Sequence, residues 1–315
     1  MMNDSKNIMR QPNPIWIKKA KDVLHDWQLY LLILPALVYV FTFSYWPMYG
    51  IMIAFKEFNA RLGIWGSEWV GLSHFIRFVT YPDFWKILFN TLIISLYSLA
   101  TFPLTIILAL LLNEIGNHKL KRTVQMLTYA PHFLSTVVIC GMIGLFFSRN
   151  MGLINNVIEM LGGERIDFLS KPEYFTHLYV WSGVWQDIGW GTIIYLAALS
   201  GVSPDLIEAA RIDGATRLQV IRHINIPTIM PTIIIMLILS CGSILSVGFE
   251  KIYLLKNPLN SDASQVIATY LYEVGLIGGQ YSYSTAIGLF NTLVNFLLLV
   301  VVNIVAKKIS AISIW

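Results

Sequence analysis

Six apolar segments, each near the roughly 20 residues that a helix needs to cross a hydrocarbon core, dominate this 315-residue sequence. They run from about 30 to 55, 88 to 112, 129 to 147, 178 to 199, 228 to 249 and 286 to 306. A backbone surrounded by lipid must satisfy its own hydrogen bonds, and the period-two alternation of a barrel strand is missing, so the segments read as helices. The expected fold is therefore an all-α integral membrane domain of six transmembrane helices with both termini on one side. Pro35, Pro47, Pro103 and Pro231 are expected to kink or end helices. The first segment is too long for the apolar region of a signal peptide and has no small-residue cleavage site behind it, so it is expected to stay as a span.

With 56% hydrophobic and 13% charged residues, the chain is too apolar for a soluble domain of this length. The net charge of +4 comes without any basic run interleaved with aromatics, which excludes nucleic acid as a partner. Thirteen of the 22 Lys and Arg residues fall in the N-terminal tail, the loops after spans two and four, and the C-terminal tail. Positive-inside bias places those parts in the cytoplasm. Tyr45, Trp46, Tyr49, Tyr281 and Tyr283 then read as an outer aromatic belt.

Enzyme chemistry finds little support. His25, His74, His118, His132, His177 and His223 are scattered, H-E-x-x-H and G-x-S-x-G are absent, and Cys140 and Cys241 lack the spacing of a metal or redox pair. No catalytic residue and no metal site is expected. No phosphate loop is present: Gly275 to Gly279 is glycine-rich but lacks the following Lys and Ser or Thr.

The polar loop after span four carries the most specific pattern. Ser203-Pro204-Asp205 reads as a helix start, with an oxygen cap, proline at the first helical position and an acid in the first turn. Gly214 should break that helix by taking a positive φ, and a second helix is expected from Ala215 to about Asn225, ended by Pro227. Ala209 and Ala210 allow close approach of a partner surface, and Glu208 offers it a carboxylate. Leu218, Ile221 and Ile224 recur at three-residue spacing, with Arg217 and Arg222 free to face water. An amphipathic helix lying on the membrane surface would also explain the charges. Asp213-Gly214-Ala215-Thr216-Arg217 distantly suggests the signature of phospholipid head-group transferases, but its Ala and Arg are misplaced.

Taken together, Glu208-Ala209-Ala210, Gly214, Ile224 and Ile226-Pro227 resemble the E-A-A-x3-G-x9-I-x-L-P motif of ABC importer permeases, with Ile226 in the usual Leu place. Phe89-Asn90-Thr91 and Tyr129-Ala130-Pro131 extend the resemblance over residues 88 to 306. Trp46-Pro47-Met48-Tyr49-Gly50 and Ala54-Phe55-Lys56-Glu57-Phe58 are similar to the oligosaccharide or polysaccharide permeases of carbohydrate-uptake importers, in particular the first of two paired permeases. The resemblance implies a type I importer: a second homologous permease, two ABC ATPases that bind ATP and Mg, and an extracytoplasmic solute-binding protein or lipoprotein. It implies that Glu208, Ala209, Ala210, Asp213, Gly214, Ile224 and Pro227 couple to the ATPase, and that this chain binds no cofactor. The domains are then a cytoplasmic tail at 1–28, the first span and outer loop at 29–87, the permease core at 88–306 with its coupling loop at 203–227, and a cytoplasmic tail at 307–315.

For the cargo, Asp187 is the one ionisable residue well inside a span, beside Trp185, Gln186 and Trp190 and next to Gly183, Gly189 and Gly191. An intramembrane carboxylate is costly and marks a functional site or a helix pairing; carboxylate, amide and aromatic faces suit a sugar. The resemblance adds Ser243, Ser246, Asn291 and Asn295 from spans five and six. Glu250, Lys251, Asn257, Asn260 and Asp262 fall in the long outer segment after span five, where they read as a charged solvated loop or as contacts for the binding protein. A secondary transporter and a permease for a non-sugar solute stay open, though a single Asp and no clear internal repeat disfavour the first.

Overall fold

The computed structural model describes residues 27–310. Of the terminal tails expected at 1–28 and 307–315, residues 1–26 and 311–315 lie outside the described residues. The chain divides into two units, one ending at Met52 and one starting at Ile53. The first contains α1 (Trp27–Val40), with Pro35 inside it, followed by a π-turn at Phe41–Tyr45. The apolar helical run that α1 opens is 29 residues long, Trp27–Phe55, so the expected N-terminal tail gives way to helix at Trp27.

The second unit opens with a departure from an all-helical chain. Lys56–Glu57 (β1) pairs antiparallel with Glu68–Trp69 (β2), Lys56 lying opposite Trp69. Lys56 is buried, and its ammonium donates to the carbonyl oxygens of Ile64 (2.8 Å) and Ser67 (3.3 Å), tying off the loop that the ribbon closes. A buried charge is tolerated here because main-chain dipoles replace water.

Span two combines α2 (Phe84–Ala100) and α3 (Phe102–Glu114) into a 31-residue helical run. At 1.5 Å per residue it is about 46 Å long, well beyond a hydrocarbon core of about 30 Å. Pro103 sits in the first turn of α3, where its missing N–H leaves no partner wanting.

Span three is not the straight helix expected. It consists of α4 (His118–Tyr129), a 3-10 turn at Ala130–Phe133 and α5 (Thr136–Phe146), bent by 100°. Pro131 removes a donor at the break, and Ser135 restarts the chain as an N-cap, accepting from the Val138 N–H. Span four is α6 (Pro172–Leu199), and α7 (Pro204–Ile212) follows at 80°.

The second helix of the polar loop does not end at Pro227. The segment α8 (Arg217–Val220), a π-turn at Ile221–Asn225 and α9 (Ile226–Cys241) make one 25-residue run. The wider π-turn leaves room for the proline ring, so the helix passes through it. Span five stops at Cys241, short of the expected 249, and the chain turns before α10 (Phe249–Leu255). After α11 (Ile267–Tyr272), span six is α12 (Tyr281–Ser310), which carries Lys307 and Lys308 in its last turn. The tail expected from 307 therefore begins as helix. Among the described residues four helices are long and apolar enough to cross a membrane alone, and counting each bent pair as one span makes six.

Two apolar clusters fill opposite ends of span two. Phe78, Phe84, Ile87, Ile267, Tyr270, Tyr283 and Ile287 pack at its start. Tyr283 is 2% exposed, its hydroxyl 3.2 Å from that of Tyr270, so it belongs to the core and not to an aromatic belt. Ala109, Leu110, Tyr195, Leu199 and Ile229 pack at its other end, against Ile207, Ile221 and Ile224 of the polar loop.

Candidate functional site

The polar loop forms a rigid elbow. Pro204 and Asp205 occupy the first turn of α7 as expected, but Ser203 makes no side-chain capping bond, so the proline and the acid start the helix without it. Gly214 has φ +84°, a left-handed conformation that costs any other residue about 1 kcal/mol or more. Immediately after, Thr216 and Gln219 form a capping box: Thr216 Oγ1 accepts from Gln219 N (3.4 Å) and Gln219 Oε1 from Thr216 N (2.7 Å). A tight turn with a cap on its far side fixes the angle between two helices.

Ile207, Ile221 and Ile224 face inward onto the cluster around Leu199 and Ile229. Leu218, expected on the same stripe, points outward and is 72% exposed, together with Leu206 and Ile212. Glu208, Ala209 and Asp213 are exposed beside them, and Ala210 is half-buried. The elbow thus presents an outer face that is apolar and of mixed charge, with Arg211, Arg217 and Arg222 exposed as well as Glu208 and Asp213, and an inner face packed on spans two, four and five.

A cavity of about 830 Å³ lies between spans two and four, the end of span five and α10. Tyr179, Gly183, Gln186 and Asp187 line it from span four, and Glu250 and Lys251 from α10. Asp187 is not alone. Its Oδ1 is 2.9 Å from His132 Nδ1, within hydrogen-bond distance. The imidazole stacks on Trp190, 4.5 Å between centroids and 7° between planes. Trp190 therefore orients the pair and does not itself line the cavity. Gln186 donates to the Leu134 carbonyl at 3.2 Å, so both side chains of span four hold the break in span three.

The remaining candidates separate. Trp185 faces a second, apolar hollow of about 430 Å³ shared with Phe146, Phe168 and Trp181, and not the main cavity. Ser243 and Ser246 line the main cavity. Asn295 is structural: its Oδ1 accepts from Leu245 N and its Nδ2 donates to Ser246 Oγ, both at 2.9 Å, fastening the turn after span five. Asn291 does not line the cavity, and its Oδ1 is buried without a partner. Gly189 meets span three so closely that a Cβ would lie 2.1 Å from the Thr128 carbonyl oxygen, so this glycine serves helix packing.

Sequence reasoning missed His132 and Tyr179 and misplaced Lys251. Lys251 is 8% exposed and lines the cavity, its Nζ 5.1 Å over the Tyr179 ring, while the Tyr179 hydroxyl accepts from Gly248 N at 3.0 Å. Asn257 and Asn260 donate to the Leu169 carbonyl at 2.9 and 3.0 Å, and Asp262 pairs with Lys86, so these three are committed within the chain. On the same side of the fold Arg165 reaches the carbonyls of Arg149 (3.0 Å) and Asn150 (2.6 Å) and the Glu159 carboxylate, whose pKa it holds below the usual range. Among the described residues no group of His, Cys, Asp and Glu is placed to hold a metal ion.

The family of the binding-protein-dependent transport system inner membrane component matches residues 88–311, from span two through the elbow to the end of span six. The chain belongs to this family. It is a multi-pass permease subunit of an ABC importer, with the type I transport fold. The permease is 47% identical over 281 residues to the polygalacturonan/rhamnogalacturonan transport system permease protein YteP of Bacillus subtilis (strain 168), covering 89% of this chain and 88% of that one. It is 45% identical over 294 residues to protein LplB of the same organism, covering 93% and 92%. Among solved structures it matches a chain of a bacterial ABC transporter involved in the import of the acidic polysaccharide alginate, with TM-score 0.86 and 38% identity over 93% of this permease and 99% of that chain. A bacterial alginate ABC transporter in complex with alginate pentasaccharide-bound periplasmic protein matches with TM-score 0.86 and 37% identity over 93% of this permease and 99% of that chain.

Proposed function

We propose that this permease moves an oligosaccharide inward, by alternating access driven from ATPases that dock on its elbow. The observation that carries the reading is the juxtaposition of a rigid elbow and a polar cavity on one pair of spans: α7 continues from span four and α8 runs into span five, and the same two spans line the cavity. Relatives named for polygalacturonan and rhamnogalacturonan, and for alginate, support a sugar polymer as cargo. In this reading Glu208, Ala209, Ala210, Asp213 and Gly214 form the docked face, and Ile224 and Pro227 carry its motion into span five. ATP and Mg bind on the partner ATPases and none on this chain, and the elbow and both termini are cytoplasmic. A second permease closes the open side of the cavity, and a solute-binding protein delivers the sugar from outside. Asp187 and Gln186 meet sugar hydroxyls, with Ser243 and Ser246 on the opposite wall.

The test is uptake of labelled oligosaccharide by the assembled importer in vesicles, with ATP hydrolysis followed in parallel. Glu208→Lys reverses a charge on the docked face, and Gly214→Pro imposes φ near −65° where +84° is required. Either variant is expected to insert in the membrane and to lose substrate-stimulated ATP hydrolysis and uptake by at least tenfold. Normal uptake in both would overturn the assignment of the elbow.

A further inference from the structure

Lysines in this fold have partners wherever they are sheltered. Lys56 is surrounded by carbonyl oxygens, Lys256 pairs with Glu273 and Gln265, and the half-exposed Lys86 pairs with Asp262. Lys251 is the exception. Its side chain is as buried as that of Lys56, yet among the described residues no carboxylate forms an ion pair with it and no oxygen accepts a hydrogen bond from it. Its neighbours are the face of the Tyr179 ring and Gly183, where an added Cβ would lie 3.4 Å from Nζ. The amine is free to point into the cavity because Gly183 has no side chain to cover it.

A sheltered ammonium with no carboxylate within ion-pair distance, Asp187 acting on it only from further along the wall, is expensive to hold, and folding retains it only where something else offsets that cost. Three donors on a compact point charge suit a carboxylate oxygen. The wall beside it is graded. Tyr179, Gly183 and Asp187 stand four residues apart on span four and so share one face of the helix. Lys251 meets that face at its Tyr179–Gly183 end, and Asp187, tied to His132, sits one turn further along. One end of the wall attracts an anion, and the other repels it and accepts hydroxyl donors.

We infer that Lys251 takes a carboxylate of the cargo in the transport cavity, so that this one residue selects acidic, uronate-bearing sugars of the kind the relatives are named for. The inference rests on the reading of this chain as a sugar permease. It makes Lys251 a specificity residue: the Lys251 end fixes where the carboxylate lies, and Asp187 excludes the reversed orientation.

The test uses the assembled importer with its binding protein, in proteoliposomes, offered labelled trigalacturonate or the corresponding uncharged trigalactoside. Lys251→Met keeps the length of the side chain and removes the charge. Loss of one charge-assisted hydrogen bond predicts a fall in trigalacturonate uptake of roughly tenfold to hundredfold, with complex assembly, basal ATP hydrolysis and any trigalactoside uptake held within about twofold. Uptake of trigalacturonate within twofold of the parent, equal losses for both sugars, or failure of the variant to assemble would each overturn the inference. If the parent importer carries only the uncharged sugar, the sugar reading stands and the inference falls. Uptake of neither sugar by the parent removes the sugar reading itself.

Discussion

Residues in the spans are placed by what a single atom would do to a neighbour. A glycine inside a helix ordinarily costs about 1 kcal/mol relative to alanine, so Gly→Ala there should stabilise. At Gly144 a Cβ meets nothing within 4 Å, and Gly144→Ala is expected to leave folding unharmed or improve it slightly. At Gly189 the same carbon would fall 2.1 Å from the Thr128 carbonyl oxygen and 2.4 Å from its carbon, both main chain. Overpacking of this kind costs about 1–3 kcal/mol and outweighs the helix term. Gly189→Ala is therefore expected to lower the melting temperature of the detergent-solubilised complex or prevent its assembly, and equal melting of the two variants would contradict the packing argument. The same local view explains why the Asp187 partner was hidden from the sequence. His132 lies 55 positions away, and the packing of α4 on span four, through Thr128 against Gly189 and Tyr129 against Thr192, brings its ring there. Asp187 itself was legible because an isolated carboxylate in an apolar segment has no innocent place to go.

Elements show where periodicity suffices and where it fails. The spans were legible because a length of about 20 apolar residues has few other uses, and the Gly214 elbow because a left-handed turn and proline leave marks in composition. Two boundaries misled. Pro227 reads as a helix end, yet the π-turn at Ile221–Asn225 carries the helix past it. Span five reads as running to 249, yet it stops at Cys241, which moves Lys251 from an outer loop to the cavity wall. A π-turn has no side-chain signature, since it is a change in hydrogen-bond register. Asn225, at the end of this turn, is 1% exposed with neither its Oδ1 nor its Nδ2 bonded. Each unmade bond costs about 1–3 kcal/mol. Replacing Asn225 with the similarly sized Leu is expected to stabilise the solubilised permease by about 1–3 kcal/mol in thermal unfolding. A destabilised variant would mean that the amide is satisfied by a group from another subunit or by water.

At the scale of the second unit, the elbow and the cavity meet through one apolar cluster. Ile207, Ile221 and Ile224 of the elbow press on Leu199, Val202 and Ile229, and Tyr195 and Met236 belong to the same packing while lining the cavity. Close-packed interiors resist compression and pass displacement on, so a shift of the elbow should reach the cavity wall through Tyr195, which is 3% exposed. Coupling between two sites is a free energy shared by both and is therefore reciprocal in binding. In the assembled importer, ATP should change the affinity of the permease for sugar-loaded binding protein by the factor with which loaded binding protein changes ATP affinity. Tyr195→Ala removes the ring from the middle of the path and opens a void costing about 3–5 kcal/mol; Tyr195→Phe keeps the ring and loses only the hydroxyl. Where the Ala variant still assembles, both coupling factors are expected to shrink together toward one while each separate affinity survives, and the Phe variant should keep both. Measuring the two affinities by titration, each with and without the other ligand, decides the matter: intact coupling in Tyr195→Ala would mean that motion travels by the helix axes of spans four and five and not through the cluster between them.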